Sequence, residues 1–523
     1  MASLALPRFG AVPRQEAKEP PLGLITITVM LGLIMAIVDT SIVNVALNNM
    51  AGTLGATTDE IGWVATGYIL ANVIVMPLNG WLTARFGRRN FYAACLALFT
   101  VASFLCGTAN SVYLLVFYRV LQGIGGGALQ PTAQSILFES YPPEKRSGAM
   151  AIFGMGAMVG PAIGPVLGGV IVDNFSWPLI FFINIPIGIL AFVMTMRYIR
   201  DPSYIKRDSS PMDFVGLGLL TAGLAALQYV LERGQREVWF SSYTIVIMTV
   251  VSVVSLIWFV MRMLRAANPI VDLRVFKNRG FAAGNFIGII SGFGLYGTAL
   301  IIPLFLQSAL GFTATLTGLA LIPGAIATAI SMPIAARVGK WIDGRLSIAI
   351  GLFLFAAGCW SMGGLSGDAG IGDIFWPRIL QGFALGFLFV PLSTKTLADV
   401  PRDRLAGATG VYTLVRQLGG SLGIAILEFL LQRKEDQAYA TLAGSVTLAN
   451  PNVANLVGGH PTVAMSSAAQ LMSIVQRNAT VLSYDYLLQL CAVVFLISIP
   501  TVFLLSGKKP GAGGPAPAVL AAD

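Results

Sequence analysis

The chain reads as an all-α integral membrane protein with fourteen spanning helices. Twelve of them form two pseudo-symmetric six-helix bundles, and two are inserted between the bundles. An apolar composition, fourteen apolar runs of spanning length and an internal repeat carry this reading. Of 523 residues, 56% are hydrophobic and 11% are charged, with a mean hydropathy of +0.77. A soluble domain carries roughly 25% charged residues, so this chain has too little polar surface to cover its apolar residues in water. Apolar runs near 20 residues span a bilayer as helices. A transmembrane barrel would alternate polar and apolar residues instead.

The apolar segments fall at about 22–47, 60–82, 91–110, 112–137, 148–172, 178–197, 213–231, 243–262, 281–308, 315–336, 346–365, 371–396, 405–431 and 484–506. An even number returns both termini to one side. With the N-terminus inside, 25 of the 33 Lys and Arg residues are cytoplasmic, and inverting the chain would put those 25 outside. The net charge of +9 lies in short clusters between apolar runs rather than in one patch, so no nucleic-acid partner is expected. Residues 1–21 carry no cleavable signal and read as a cytoplasmic tail; 507–523, rich in Gly, Pro and Ala, read as a second, disordered tail. The polar stretch 433–483 reads as a long external loop.

Arg119-Val-Leu-Gln122-Gly123 recurs 259 residues later as Arg378-Ile-Leu-Gln381-Gly382. The same offset lays Gly160 and Gly164 on Gly419 and Gly423, and Gly80 on Gly339. Parallel six-helix repeats are a known transporter plan. They define an N-terminal bundle at 22–200 and a C-terminal bundle at 281–506. The register skips 213–262, so this inserted pair is expected to lie outside the central cavity.

Cys95, Cys106, Cys359 and Cys491 have no metal-ligand spacing and sit in apolar stretches, and the lone His460 builds no metal site. No metal or cofactor is expected. No phosphate loop or nucleophile constellation appears, which leaves an embedded enzyme without support and a transporter as the reading.

Charge inside the membrane is costly and marks function. Asp39 follows a charge-free run from Leu22 to Val38. It lies about nine residues, or roughly 13 Å, below the outer end of its segment. Arg119 lies about 10 Å into the fourth segment, a similar depth, so a pairing is geometrically reasonable. The pair reads as a proton-coupling site or as a structural ion pair. Glu428 is a further candidate acid, or snorkels from the outer end of its helix to water. Asn44, Gln122, Gln130, Tyr296, Gln307, Gln381 and Arg416 are candidate cavity residues, and a mostly apolar cavity with few polar groups suits small amphipathic substrates. Gly156, Gly160, Gly164 and Gly168 form one side-chain-free face, with Pro161 and Pro165 able to bend the same helix. That stretch reads as a hinge or as a close-packing face.

Four further stretches are similar to a known family. They are Asp39-Thr-Ser-Ile-Val-Asn-Val-Ala-Leu47, Gly80-Trp-Leu-Thr-Ala-Arg-Phe-Gly-Arg-Arg89, Arg119-Val-Leu-Gln-Gly-Ile-Gly-Gly-Gly127 and Gly156-Ala-Met-Val-Gly-Pro-Ala-Ile-Gly-Pro-Val-Leu-Gly-Gly169. Over nearly its whole length the chain resembles the major facilitator superfamily, and within it the fourteen-helix drug:proton antiporters of EmrB/QacA type. Arg233-Gly-Gln-Arg-Glu-Val-Trp-Phe240 and Asn268-Pro-Ile-Val-Asp-Leu273 look like the EmrB branch. The resemblance implies proton-driven multidrug export by alternating access in the inner membrane, with a periplasmic adaptor and an outer-membrane channel as partners. Export of fatty acids or lipids, or proton-coupled uptake, are the alternatives. It also implies a gating loop at Gly80, Arg85, Gly87 and Arg88. The family's fifth-position acid is replaced here by Ala84, whereas the second-half copy, Gly339-Lys-Trp-Ile-Asp343, keeps its acid.

Overall fold

The computed structural model describes residues 20–202, 212–446 and 465–505. The two tails, apart from residues 20 and 21, lie outside the described residues, as does the middle of 433–483 with His460. Among the described residues the chain is helical, without strands. Fourteen helices are long and apolar enough to cross a membrane: α1 Leu22–Leu54, α2 Thr58–Phe86, α3 Arg88–Gly107, α4 Val112–Ser140, α5 Pro143–Asn174, α6 Leu179–Tyr198, α7 Phe214–Arg233, α8 Tyr243–Arg265, α9 Arg279–Ala309, α10 Thr315–Val338, α11 Gly344–Met362, α12 Ile371–Ala398, α13 Arg402–Gly444 and α14 Gln470–Leu504.

Local chemistry starts these helices where the apolar runs begin. Thr57 and Glu60 form a reciprocal capping box at the head of α2. Ser111, Asp213, Asn278, Thr313 and Asp343 each accept a hydrogen bond from a first-turn N–H of the helix that follows. In a bilayer the helix also satisfies every backbone group internally, which an open strand cannot do.

α1–α6 pack together as one unit and α9–α14 as another. In each, the glycine-bearing fifth helix lies on the first. A side chain at Gly160 would strike Ile37 of α1, and one at Gly419 would strike the Ile289 backbone of α9. At the end that carries the start of α1 the two units touch directly. Gly80 abuts the Gly407 backbone so closely that a side chain there would collide with it. Asn79 donates to the Ala406 carbonyl at 2.8 Å. Deeper in, Phe153 of α5 stacks on Phe389 of α12, with centroids 6.1 Å apart. The opposite end is open.

Two expectations are corrected here. Much of 433–483 is not loop. α13 continues to Gly444 and α14 begins at Gln470, so the stretch projects as two helical extensions that touch where Gln476 donates to Glu435 at 3.0 Å. Polar composition misled, because a helix leaving the bilayer no longer needs an apolar surface. The second correction concerns the inserted pair. α8 is peripheral, with Val250, Trp258 and Ile257 among its exposed side chains, as befits a lipid-facing surface. α7, however, packs on both α2 and α13. Arg233 lies over the Trp63 ring at 5.0 Å and 3.6 Å from Asp59, while Gln228 donates to Ser421 at 2.9 Å. α7 therefore closes a seam between the units, and its inner face lines the central cavity. Asp213, before α7, is clamped by Arg262 of α8 at 2.8 Å, and these guanidinium hydrogen bonds hold its carboxyl below the usual range.

Candidate functional site

A cavity of about 2260 Å³ lies between the two units. Its walls come mainly from α1, α2, α4, α5, α7, α9, α10, α12 and α13, with Phe355 of α11 and Gln476 of α14 also lining it, and it opens past Asp173, Gln307, Thr315 and Tyr439, at the end opposite the Gly80–Gly407 contact. Asn44, Gln130, Tyr296, Gln307, Gln381 and Arg416 all line it. Arg416 is held over the Phe389 ring, 5.0 Å away. Glu428 lines it too, on α13, apart from the other two residues expected to couple protons. Gln228 and Glu232 of α7 were missed by sequence reasoning, because the repeat on which the cavity was built passes over them.

Gln122 is corrected. It does not line the cavity but belongs to a sealed cluster behind the wall. Asp39 and Arg119 are 0% and 1% exposed, and Arg119 Nη1 donates to Asp39 Oδ2 at 2.6 Å. Gln122 Nε2 donates to Asp39 Oδ1 at 2.9 Å, and Asn184 Nδ2 to the same oxygen at 2.7 Å. Ser103 accepts from Gln122 at 2.6 Å and from Asn184 at 3.2 Å. The guanidinium is completed by Gln122 Oε1 at 2.6 Å and the Val64 carbonyl at 3.1 Å. α1, α2, α3, α4 and α6 each contribute a group, and the donors are met by the Asp39 carboxylate, the Ser103 hydroxyl, the Gln122 amide oxygen and the Val64 carbonyl. A buried ion pair is tolerated when its remaining hydrogen-bonding capacity is met in this way. Tyr68 is the partition. Its ring carries Arg119 at 4.2 Å and also lines the cavity.

Asn184, Ser103 and Tyr68 were not foreseen. Each is an uncharged polar residue among several in an apolar run, and only the depth of Asn184 in the sixth segment hinted at it.

The expected gating residues take two arrangements. Gly87 enters α3 with φ +81°, a backbone region that favours glycine, and Asp201 occupies the space a side chain would need. Arg88 is buried and ion-paired with Glu139 at the end of α4. Arg85 is exposed. In the second half Asp343 caps α11 through the Arg345 N–H at 3.1 Å and pairs with Lys395 of α12 at 3.3 Å. Burial opposes ionisation of Asp343, but the Arg345 N–H and the Lys395 ammonium outweigh it and hold its carboxyl below the usual range. The repeat lays Ala84 on Asp343 and Ile136 on Lys395, so both members of that pair are absent from the first half. Gly156, Gly160, Gly164 and Gly168 all face α1, against Met30, Ile37, Ser41 and Ile42. Pro165 faces the cavity, and the Pro161 side chain lies outside the described residues.

The comparisons agree with this architecture. Residues 29–424 match the family model described as Major Facilitator Superfamily. The multidrug export protein EmrB of Escherichia coli K12 is 36% identical over 94% of this chain and 96% of its own length. The fatty acid resistance protein FarB of Neisseria gonorrhoeae is 35% identical over 95% and 98%. Among solved structures, the human organic anion transporter MFSD10 superposes with a TM-score of 0.57 at 14% identity, over 91% of this chain and all of that one. The proton:xylose symporter XylE gives 0.55 at 13% identity, over 90% and 94%. At such identities these two speak to the fold alone. Fourteen spanning helices, a cavity between two pseudo-repeats and the match over 29–424 together make this chain a multi-pass membrane transporter that belongs to the Major Facilitator Superfamily.

Proposed function

We propose that the protein is a proton-driven antiporter exporting small amphipathic compounds across the inner membrane by alternating access, with both termini cytoplasmic and no cofactor. The observation that carries it is the buried Asp39–Arg119 pair one aromatic ring behind the cavity wall. An antiporter needs a carboxyl that takes a proton from one side and yields it to the other. Ionised, Asp39 is held by Arg119, Gln122 and Asn184. Protonated, it loses its charge attraction to Arg119, and the guanidinium under Tyr68 is released to shift the wall. Each proton entering down a 100 mV potential supplies about 2.3 kcal/mol. The closure at Gly80–Gly407 and the opposite opening correspond to an outward-facing state. The similarity to EmrB supports drug-like substrates, and that to FarB supports fatty acids as the second reading.

The test is Asp39→Asn in proteoliposomes energised by a pH gradient. The variant keeps the size and most hydrogen bonds of the site but cannot cycle a proton. It should still bind a cationic dye, lose uphill export and release no proton when substrate is added. Uphill export with an unaltered pH profile would make Asp39 structural and move coupling to Glu428.

The projecting extensions of α13 and α14 are also the place we assign to a periplasmic adaptor, itself linked to an outer-membrane channel. Deleting 433–483, the extensions together with the stretch between them, should abolish adaptor co-purification while proteoliposome transport stays near normal. Undiminished co-purification excludes this site.

A further inference from the structure

The two Arg-x-x-Gln-Gly copies make the same internal contact and then part company. Arg378 Nη1 donates to Gln381 Oε1 at 2.7 Å, as Arg119 Nη1 does to Gln122 at 2.6 Å. In the first half the guanidinium then meets Asp39. The 259-residue offset puts Thr298 at that place in the second half, and its hydroxyl is turned back to the Gly294 carbonyl at 2.5 Å. Among the described residues Arg378 has no carboxylate within ion-pair distance, and its Nε is buried without a hydrogen-bond partner. Arg378, Gln381 and Thr298 all line the central cavity, together with the apolar Leu295, Ile322 and Leu385.

Arg378 is half-buried on this wall, and its buried Nε has no hydrogen-bond partner, so an oppositely charged group reaching it gains a charge-assisted contact and meets a donor that is otherwise unsatisfied. The guanidinium's planar fork of donors fits a carboxylate. The cavity's own acids are placed elsewhere. Of the five, Asp173 lies near the end of α5 at the mouth, Glu232 accepts from Gln228, Glu435 accepts from Gln476, and Glu428 and Asp436 stand on α13, with none of them ion-paired to Arg378 among the described residues. We propose that Arg378 and Gln381 form a headgroup site for the carboxylate of an amphipathic acid, whose apolar tail lies along Leu295, Ile322 and Leu385. The ligand supplies the charge that Asp39 supplies in the first half. This rests on the reading that the cavity carries the exported compound.

The test uses the full chain in nanodiscs at a pH where the acid is ionised, with dodecanoate and the equally long dodecanol as probes. Tryptophan fluorescence reads the binding. The protein should bind dodecanoate at least about tenfold more tightly than dodecanol, the scale of one charge-assisted hydrogen-bonded contact. Arg378→Gln should erase that preference while dodecanol affinity stays unchanged, which also reports an intact cavity, and Arg378→Lys should keep part of it. Thr298→Asp keeps Arg378 but recreates the first-half pairing, so it should erase the preference as well. It serves if Arg378→Gln fails to fold. A dodecanoate preference that survives these substitutions overturns the proposal. Wild-type protein that exports a cationic dye yet binds the two probes equally overturns the headgroup site and leaves the export reading standing. Wild-type protein that prefers dodecanoate yet exports neither compound overturns the export reading instead.

Discussion

Arg119 and Arg378 each stand seven residues into their helices, α4 and α12, and each bonds the glutamine one turn on. Around Arg119 five helices close in, and the charge is met by Asp39, Gln122 and the Val64 carbonyl. Around Arg378 the partner acid is replaced by Thr298, and the side chain is left on the cavity wall. One motif thus serves two electrostatic conditions, and the residue opposite decides which. A charge that is already paired stores the capacity to be unpaired by a proton. A charge left unpaired is available to a ligand.

The sharpest way to break this comparison is to remove each arginine in turn. Arg119→Ala strands a buried carboxylate, and breaking a buried pair from one side costs about 3–5 kcal/mol. Arg378→Ala removes no ion pair and should change stability by under about 1 kcal/mol. Denaturation of the purified protein in detergent reads both. Equal losses would mean that Arg378 has a structural duty like that of Arg119, and the contrast would fail.

A smaller effect tests where the halves agree. Gly160 and Gly419 occupy equivalent places and each faces the first helix of its unit. An alanine at either would overpack the contact, for about 1–3 kcal/mol. Gly419→Ala should be the larger, because the atom it meets first is the Ile289 carbonyl oxygen, whereas Gly160→Ala first meets the Ile37 methyl. The same denaturation experiment decides the order. A reversed order would mean that α9 yields more readily than α1.

The spanning helices were legible because each one is a long, predominantly apolar run with few charges, and a bilayer admits little else there. The meeting of Asp39 with Arg119 was legible from depth alone, since two opposite charges at one level of a small bundle have few other partners. The rest of the cluster was not. Asn184 and Ser103 carry no periodic signal, and Gln122 was assigned to the cavity because a polar residue on a helix gives no hint of which neighbour it faces. The side of α7 that faces the cavity was hidden for a related reason, as the repeat that located the cavity contains no copy of α7.

The sequence by itself determined the number and order of the helices, the pseudo-symmetry and the presence of three arginines within spanning segments, at 119, 378 and 416. These follow from local hydropathy and from matching strings, neither of which needs neighbours. Only the tertiary structure decided which arginine is neutralised, which face of α7 looks inward and which end of the cavity is shut. Those outcomes depend on the rotation of each helix about its axis and on which other helix it meets. Both are set by packing among side chains that lie far apart in the chain.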